Sequence, residues 1–155
     1  MYRVGDYLVY KKDVCQVKDI IDKDNGKYYL LVPINDSSLK IQASINSDGI
    51  REIITKNEVD NLIKEIPNIE IIECDDKVIE YEYRQILSTG TFIDLLKLIK
   101  TTYLRNKIRL ENKKKKSLKD CEYMERAEQL LYPEIGIVLN LTFEEIKNMI
   151  EGLVV

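Results

Sequence analysis

Over the first third of the chain, apolar and polar residues alternate in short runs bounded by Asp, Asn, Ser or Gly. A period of two is the mark of half-buried strands. In YRVGDYLVY the alternation places Val4, Leu8 and Tyr10 on one face, with Gly5-Asp6 as a turn signal between the halves. VCQVKDII and KYYLLVPI follow, separated by DKDNGK, whose Asn25-Gly26 is a strong short-range hairpin signal. LKIQASI and IREII complete a set of five candidate strands. Together they predict a small, strongly bent sheet or barrel.

The period then changes to that of helices. Thr55-x-x-Glu58 has the form of a capping box, and NEVDNLIKEI behind it predicts a short amphipathic helix stopped by Pro67. NIEIIECDDK is a mixed connector, and from about Val78 the pattern is helical throughout. Thr91-x-x-Asp94 caps a segment with Phe92, Leu95, Leu96, Ile99 and Tyr103 at helical spacing. Ser117-x-x-Asp120 caps the next, with Met124, Ala127, Leu130 and Leu131 inward and Pro133 expected to kink or interrupt it. Thr142-x-x-Glu145 caps a last short helix over FEEIKNMI. The expected organisation is a β-domain over 1–66 including its closing helix, a connector over 67–77, and a helical domain over 78–155.

Composition narrows the chemistry. No apolar run approaches the ~20 residues that cross a bilayer, and the first residues carry acids rather than a signal-peptide pattern. Cys15, Cys74 and Cys121 are odd in number and far apart, and histidine is absent. A disulfide framework, a Cys/His zinc site and histidine-activated nucleophiles are therefore not expected, and a reducing cytoplasm fits. The six glycines are scattered, with no phosphate-cradling loop. The carboxylate pairs Asp75-Asp76 and Glu144-Glu145 read as solvated or helix-start residues sooner than as acid–base catalysts. No enzyme activity, metal, cofactor or small-molecule substrate is expected.

Charge is distributed unevenly. The whole chain carries a net charge of −3, yet residues 97–119 hold ten Lys or Arg against one acid, Glu111. Residues 120–155 hold eight acids against two basic side chains. Lys97, Lys100 and Lys107 fall roughly on one side of the helix expected after Thr91, and Lys113, Lys114, Lys115 and Lys116 form a run in the following loop. A basic helix with a flexible basic loop suits phosphate contact, which supplies salt-dependent affinity and little sequence information. A solvated helix face with a self-repelling loop is the equal alternative. A membrane-surface helix is a third, weakened because the apolar face is needed for the core.

The order of small β-domain, connector and basic helical domain resembles the CarD/CdnL family of bacterial transcription regulators, in the branch found in low-GC Gram-positive bacteria. VGDYLVYKKDVCQVKDI looks like the family's opening strand pair, and KYYLLVPI like its next strand. GIREIITKNEVDNLIKEIP resembles the Arg-containing strand and closing helix. RQILSTGTFIDLLKLIKTTYLRNK and YMERAEQLLYPEIGIVLNL resemble segments of the helical domain. The resemblance implies an α+β chain: a Tudor-like or SH3-like small β-barrel that docks on the RNA polymerase β subunit by its edge strand, then an all-helical domain that rests on promoter DNA. It further implies a regulator that tunes open-complex stability at the upstream edge of the bubble, as a cytoplasmic, nucleoid-associated monomer.

Carried over by position, the polymerase-facing residues are Lys23 and Lys27 beside the hairpin, and Lys40, Ile41 and Gln42 on the candidate edge strand. The residues themselves read equally as edge protection by lysine and, for Ile41, as core packing. The DNA-facing set is Ile72, Lys77, Arg84, Lys97, Lys100, Arg105, Lys107, Arg109 and Lys113 to Lys116. The chain has no tryptophan, where the family wedges one into the minor groove; that slot falls on or near Ile72. Ala43-Ser44 stands where the family carries Val-Pro, and Ile79 where it carries an Arg-type residue. A different class remains beside the regulator: a protein-only adaptor whose sheet adds a partner strand and whose helices bind an acidic protein.

Overall fold

The computed structural model describes residues 1–154 and divides into two compact units, Met1–Ile54 and a second beginning at Thr55. The class is α+β: a five-stranded antiparallel sheet followed by five α-helices.

The first unit contains β1 (Tyr7–Tyr10), β2 (Asp13–Lys23), β3 (Gly26–Pro33), β4 (Ile41–Ser44) and β5 (Ile50–Arg51). Every strand overlaps a segment marked by the alternating pattern, with β2 running one residue before and two beyond VCQVKDII and β3 starting one residue before KYYLLVPI. The sheet order is β4-β3-β2-β1-β5. Its two end strands each pair with one neighbour, so the sheet is open and not closed into a barrel. Closure would require β4 and β5 to meet, and the two-residue β5 offers little ladder for that. The hairpin signal forms as expected: Lys23 pairs with Gly26 across Asp24-Asn25, and Gly26 takes φ 128°, which a side chain would disfavour. A β-bulge between Val17 and Asp19 shifts the register. The shift changes which parity faces inward, so Cys15 and Val17 before it and Ile20 after it all pack on one core. That core also holds Leu8, Tyr29, Leu31 and Ala43. Tyr10 packs against it too, but Val4 lies outside β1 and is exposed.

The second unit contains α1 (Lys56–Glu65), a 3-10 turn over Ile66–Asn68, α2 (Asp76–Thr89), α3 (Phe92–Glu111), α4 (Leu118–Leu139) and α5 (Phe143–Leu153). Because α1 packs on α4, it belongs to the helical unit. The expected boundary at residues 67–77 therefore moves to Ile54/Thr55. The four threonine or serine caps form as their spacing dictates: Thr55, Thr91, Ser117 and Thr142 each accept a backbone N–H three residues on. Gly90 ends α2, where a Cβ would stand 2.2 Å from the Ile86 carbonyl oxygen. α4 runs through Pro133 as one helix, so the proline does not interrupt it. A proline inside a helix costs ~3 kcal/mol or more, and the burial of Leu131, Tyr132 and Ile135 around it offsets that. No helix among the described residues is long and apolar enough to cross a membrane.

Candidate partner and nucleic-acid interfaces

The edge of β4 is the first candidate interface. Ile45 N donates to Lys27 O at 3.2 Å, continuing the β3–β4 register in which Ala43 faces Tyr29 and Ile41 faces Leu31. In an antiparallel ladder, hydrogen-bonded pairs alternate with non-bonded ones. Ile41 and Ala43 therefore turn their N–H groups to β3, while Gln42 turns its N–H and C=O to the open edge. Gln42 is exposed, and Ile41 is half-buried against the sheet core. Lys23 comes to the same place: its ammonium donates to Gln42 Oε1 and lies 5.0 Å from the Tyr28 ring centroid. Lys27 and Lys40 are both exposed, Lys40 just ahead of β4 rather than within it. Lys40 also borders an open groove of about 550 Å³ lined by Leu30, Val32 and Ile34, with Lys18 on its rim.

The basic segment divides into structural and free cations. Lys100 leaves the phosphate-facing set: it is 5% exposed, and Nζ donates to the carbonyl oxygens of Ile66, Pro67 and Ile69 at 2.8, 3.2 and 2.7 Å. These carbonyls cluster at the end of the 3-10 turn, where backbone acceptors have no helical partner. The amine is thus a cap delivered from a neighbouring helix. Arg105 is likewise committed. Its Nε donates to Asp120 Oδ2 at 2.9 Å and Nη2 to Asp76 Oδ1 at 3.0 Å. Asp120, 1% exposed, also accepts from the Tyr83 hydroxyl at 3.0 Å. Burial, with the Asp120 carboxylate adding to it, pushes the Tyr83 phenol up.

A second polar cluster gathers around Glu80. Arg84 Nη2 lies 2.7 Å from Glu80 Oε1, and Lys119 Nζ 2.8 Å from Oε2. The Tyr123 hydroxyl donates to Glu80 at 2.8 Å and accepts from Arg84 Nε at 3.1 Å. Hydrogen bonds from Lys119 and then Tyr123 pull the Glu80 carboxyl down to about 2. The depressed value makes the pair a source of stability above the ordinary carboxylate pKa of 4.5, lost as pH falls toward about 2. Glu80→Gln is therefore expected to flatten the loss of stability between those pH values, read from urea midpoints on acidification. An unchanged slope would show that Glu80 is not the group responsible.

Lys113 to Lys116 are exposed and make no ion pair among the described residues. The flexible loop expected of them is instead a built turn. Lys113 N donates to Leu110 O at 3.0 Å and Lys114 N to Arg109 O at 2.8 Å, the two bonds of a Schellman cap. Lys113 holds the left-handed position at φ 59°, usually given to glycine. Arg109 is half-buried, and its Nε donates to Lys115 O at 2.8 Å. Asn106 Oδ1 accepts from Ser117 N at 2.8 Å. Local backbone bonds, which composition cannot reveal, thus outweigh the repulsion of four adjacent charges.

The other candidates scatter. Lys107 and Lys77 are exposed, Arg84 is exposed but paired, and Lys97 is half-buried, so Lys97, Lys100 and Lys107 do not form one exposed face. Ile72 is half-buried, with its backbone N–H donating to Thr101 Oγ1 at 3.0 Å. Sequence reasoning missed the role of Lys119 and the exposed Leu118. Their signal was present, since the cap at Ser117 places Leu118 in the first helical turn beside the lysine run. No protein-family model matches the chain, and no curated protein matches it.

Proposed function

We propose that this chain is a non-enzymatic transcription regulator that joins the RNA polymerase β subunit to promoter DNA and tunes the stability of the open complex. The reading follows the CarD/CdnL resemblance, with the open five-stranded sheet taken as the Tudor-like, polymerase-facing module. The observation that carries the DNA half is the exposed, unpaired lysine run at Lys113 to Lys116, whose first two residues close a hydrogen-bonded helix cap, with Lys107 on the preceding helix. A cluster of exposed, unpaired ammonium groups suits a polyanion, because neutralising phosphates releases counterions. The polymerase half is supported by the open edge of β4, where an extended partner segment could add a strand by backbone pairing.

The edge geometry selects the test. Gln42→Pro removes an outward N–H and leaves the β3–β4 bonds intact, a position that proline tolerates on an edge strand. The full-length variant is expected to stay folded and to bind the β subunit about tenfold more weakly, as loss of one backbone bond with its unpaired acceptor implies. Ile41→Pro breaks the sheet's own ladder and serves as the unfolding control. A folded Gln42→Pro variant with undiminished β-subunit binding would place the contact elsewhere. The absence of tryptophan favours the protein-only adaptor as a second reading. It would show the same edge dependence with no DNA binding by the lysine turn.

A further inference from the structure

An antiparallel sheet with one face in solvent alternates apolar and polar residues along each strand. β3 breaks that rule. Tyr29, Leu31 and Pro33 are buried on the inner side, yet Leu30 and Val32 on the other parity are apolar as well and half-buried, and Ile34 beyond them is 39% exposed. The neighbouring strands do not repeat the pattern: Gln16 faces Val32 across β2, and Gln42 faces Leu30 across β4. The outward face thus carries an apolar strip along its middle. That strip is the floor of the open groove of about 550 Å³, and every residue lining the groove belongs to the first unit.

Both banks of the groove are basic. Lys18 is the extra residue of the bulge between Val17 and Asp19 on β2, and a bulge re-aims the side chain it inserts. Lys40 stands just ahead of β4, on the opposite side of β3. Both are exposed and neither meets a carboxylate among the described residues; Lys18 Nζ donates to Gln16 Oε1 at 2.8 Å. The loop over 34–40 closes on itself beside them. Ser38 N donates to Asp36 Oδ1 at 3.1 Å and Leu39 N to Asp36 O at 3.2 Å.

We propose that this groove docks an extended acidic peptide of a partner protein, with two apolar side chains two residues apart seated on Leu30, Val32 and Ile34 between the ammonium groups of Lys18 and Lys40. Side chains at i and i+2 of an extended segment share one face about 7 Å apart, which is the spacing of the floor residues themselves. The unpaired lysines on both banks select acids beside the apolar pair. No aromatic ring lines the groove, so a nucleic-acid base finds nothing to stack on. The site is also distinct from the β4 edge. There Gln42 offers its backbone in the plane of the sheet, whereas the groove lies on the sheet's outward face, so the proposal stands apart from both the polymerase and the DNA readings.

The test pans the full chain against displayed random heptapeptides and follows the selected peptides by fluorescence anisotropy in rising salt. Those peptides are expected to carry apolar residues at i and i+2 with Asp or Glu beside them. Changing the apolar pair to Ser should weaken binding by about tenfold or more. Lys18→Glu with Lys40→Glu should weaken it by about tenfold in low salt and abolish its salt dependence, with the urea midpoint unchanged because both side chains are exposed. Leu30→Thr tests the floor separately, since a β-branched residue keeps the strand, and should also lose the peptide. Gln42→Pro should retain it; a peptide lost in that variant pairs with the β4 edge, and the groove proposal falls while the edge reading gains. Selected peptides without acids overturn the proposal, as do peptides that bind the Lys18→Glu, Lys40→Glu variant as well as the wild type, or a selection that enriches nothing. A wild type that sediments as a dimer, with Leu30→Thr a monomer, would assign the groove to a second copy of the chain and overturn the peptide.

Discussion

Lys100→Met is expected to destabilise the helical unit by roughly 2–4 kcal/mol while leaving the proposed DNA binding and its salt dependence intact. The methionine keeps most of the apolar stem and removes the ammonium. The carbonyls of Ile66, Pro67 and Ile69 then lose their shared donor. Ile66 is buried and Ile69 half-buried, so water can reach only part of that cluster. An unsatisfied buried acceptor costs ~1–3 kcal/mol, and hydrogen bonds to a charged donor contribute more than neutral ones. The measurement is a urea midpoint followed by helical circular dichroism, with the m-value checked for constancy. Faster amide exchange near residues 66–72 should accompany the shift. If stability is unchanged and the salt slope of DNA binding falls, Lys100 is a phosphate ligand and the buried cap is a misreading.

Removing the lysine turn should have the largest functional effect. The variant Lys113→Gly with Lys114→Ser, Lys115→Ser and Lys116→Ser deletes four charges and preserves the cap. Glycine suits the left-handed position that Lys113 occupies at φ 59°. Arg109 still finds its acceptor, because the contact is to the backbone carbonyl of residue 115. Each phosphate contact contributes ~0.9 to the slope of log affinity against log salt. If two to four of the lysines touch phosphate, the slope falls by roughly 2–4, and affinity near 0.1 M salt falls by roughly a hundredfold or more. The lifetime of the polymerase open complex should change with it. If the polymerase tethers the chain as proposed, the local concentration of the turn rises, and the defect should be smaller in the ternary complex than on free DNA. A variant with unaltered DNA binding and open-complex lifetime would reduce the turn to a solvated cap.

These two substitutions act on residues that the sequence places in one category. Lys100 and Lys113 belong to the same basic stretch, and Lys97, Lys100 and Lys107 share an approximate helical side. Pattern alone cannot separate them, because a lysine at either position can lay its stem on apolar surface with its ammonium in water, and only packing decides whether carbonyls replace that water. Arg84 and Arg105 illustrate the same limit. Both are basic residues in a helical domain, and both are held by carboxylates, one on the same helix and one far away in sequence. Conversely, Leu118 follows a recognisable cap, yet its exposure depends on which faces of α3 and α4 meet.

What the sequence by itself determined is local. The alternating runs placed all five strands, Asn25-Gly26 placed the hairpin, and four caps placed helix starts, because each depends on neighbours a few residues apart. The charge asymmetry was equally legible. Only the tertiary structure decided that the sheet stays open, that α1 joins the helical unit, and that α4 continues through Pro133. It also decided which cations are free, since Lys100 meets Ile66–Ile69 and Arg105 meets Asp76 and Asp120 only after distant segments pack. Those pairings arise because a buried acceptor or carboxylate must be satisfied by whatever donor packing brings near, and sequence spacing carries no record of that.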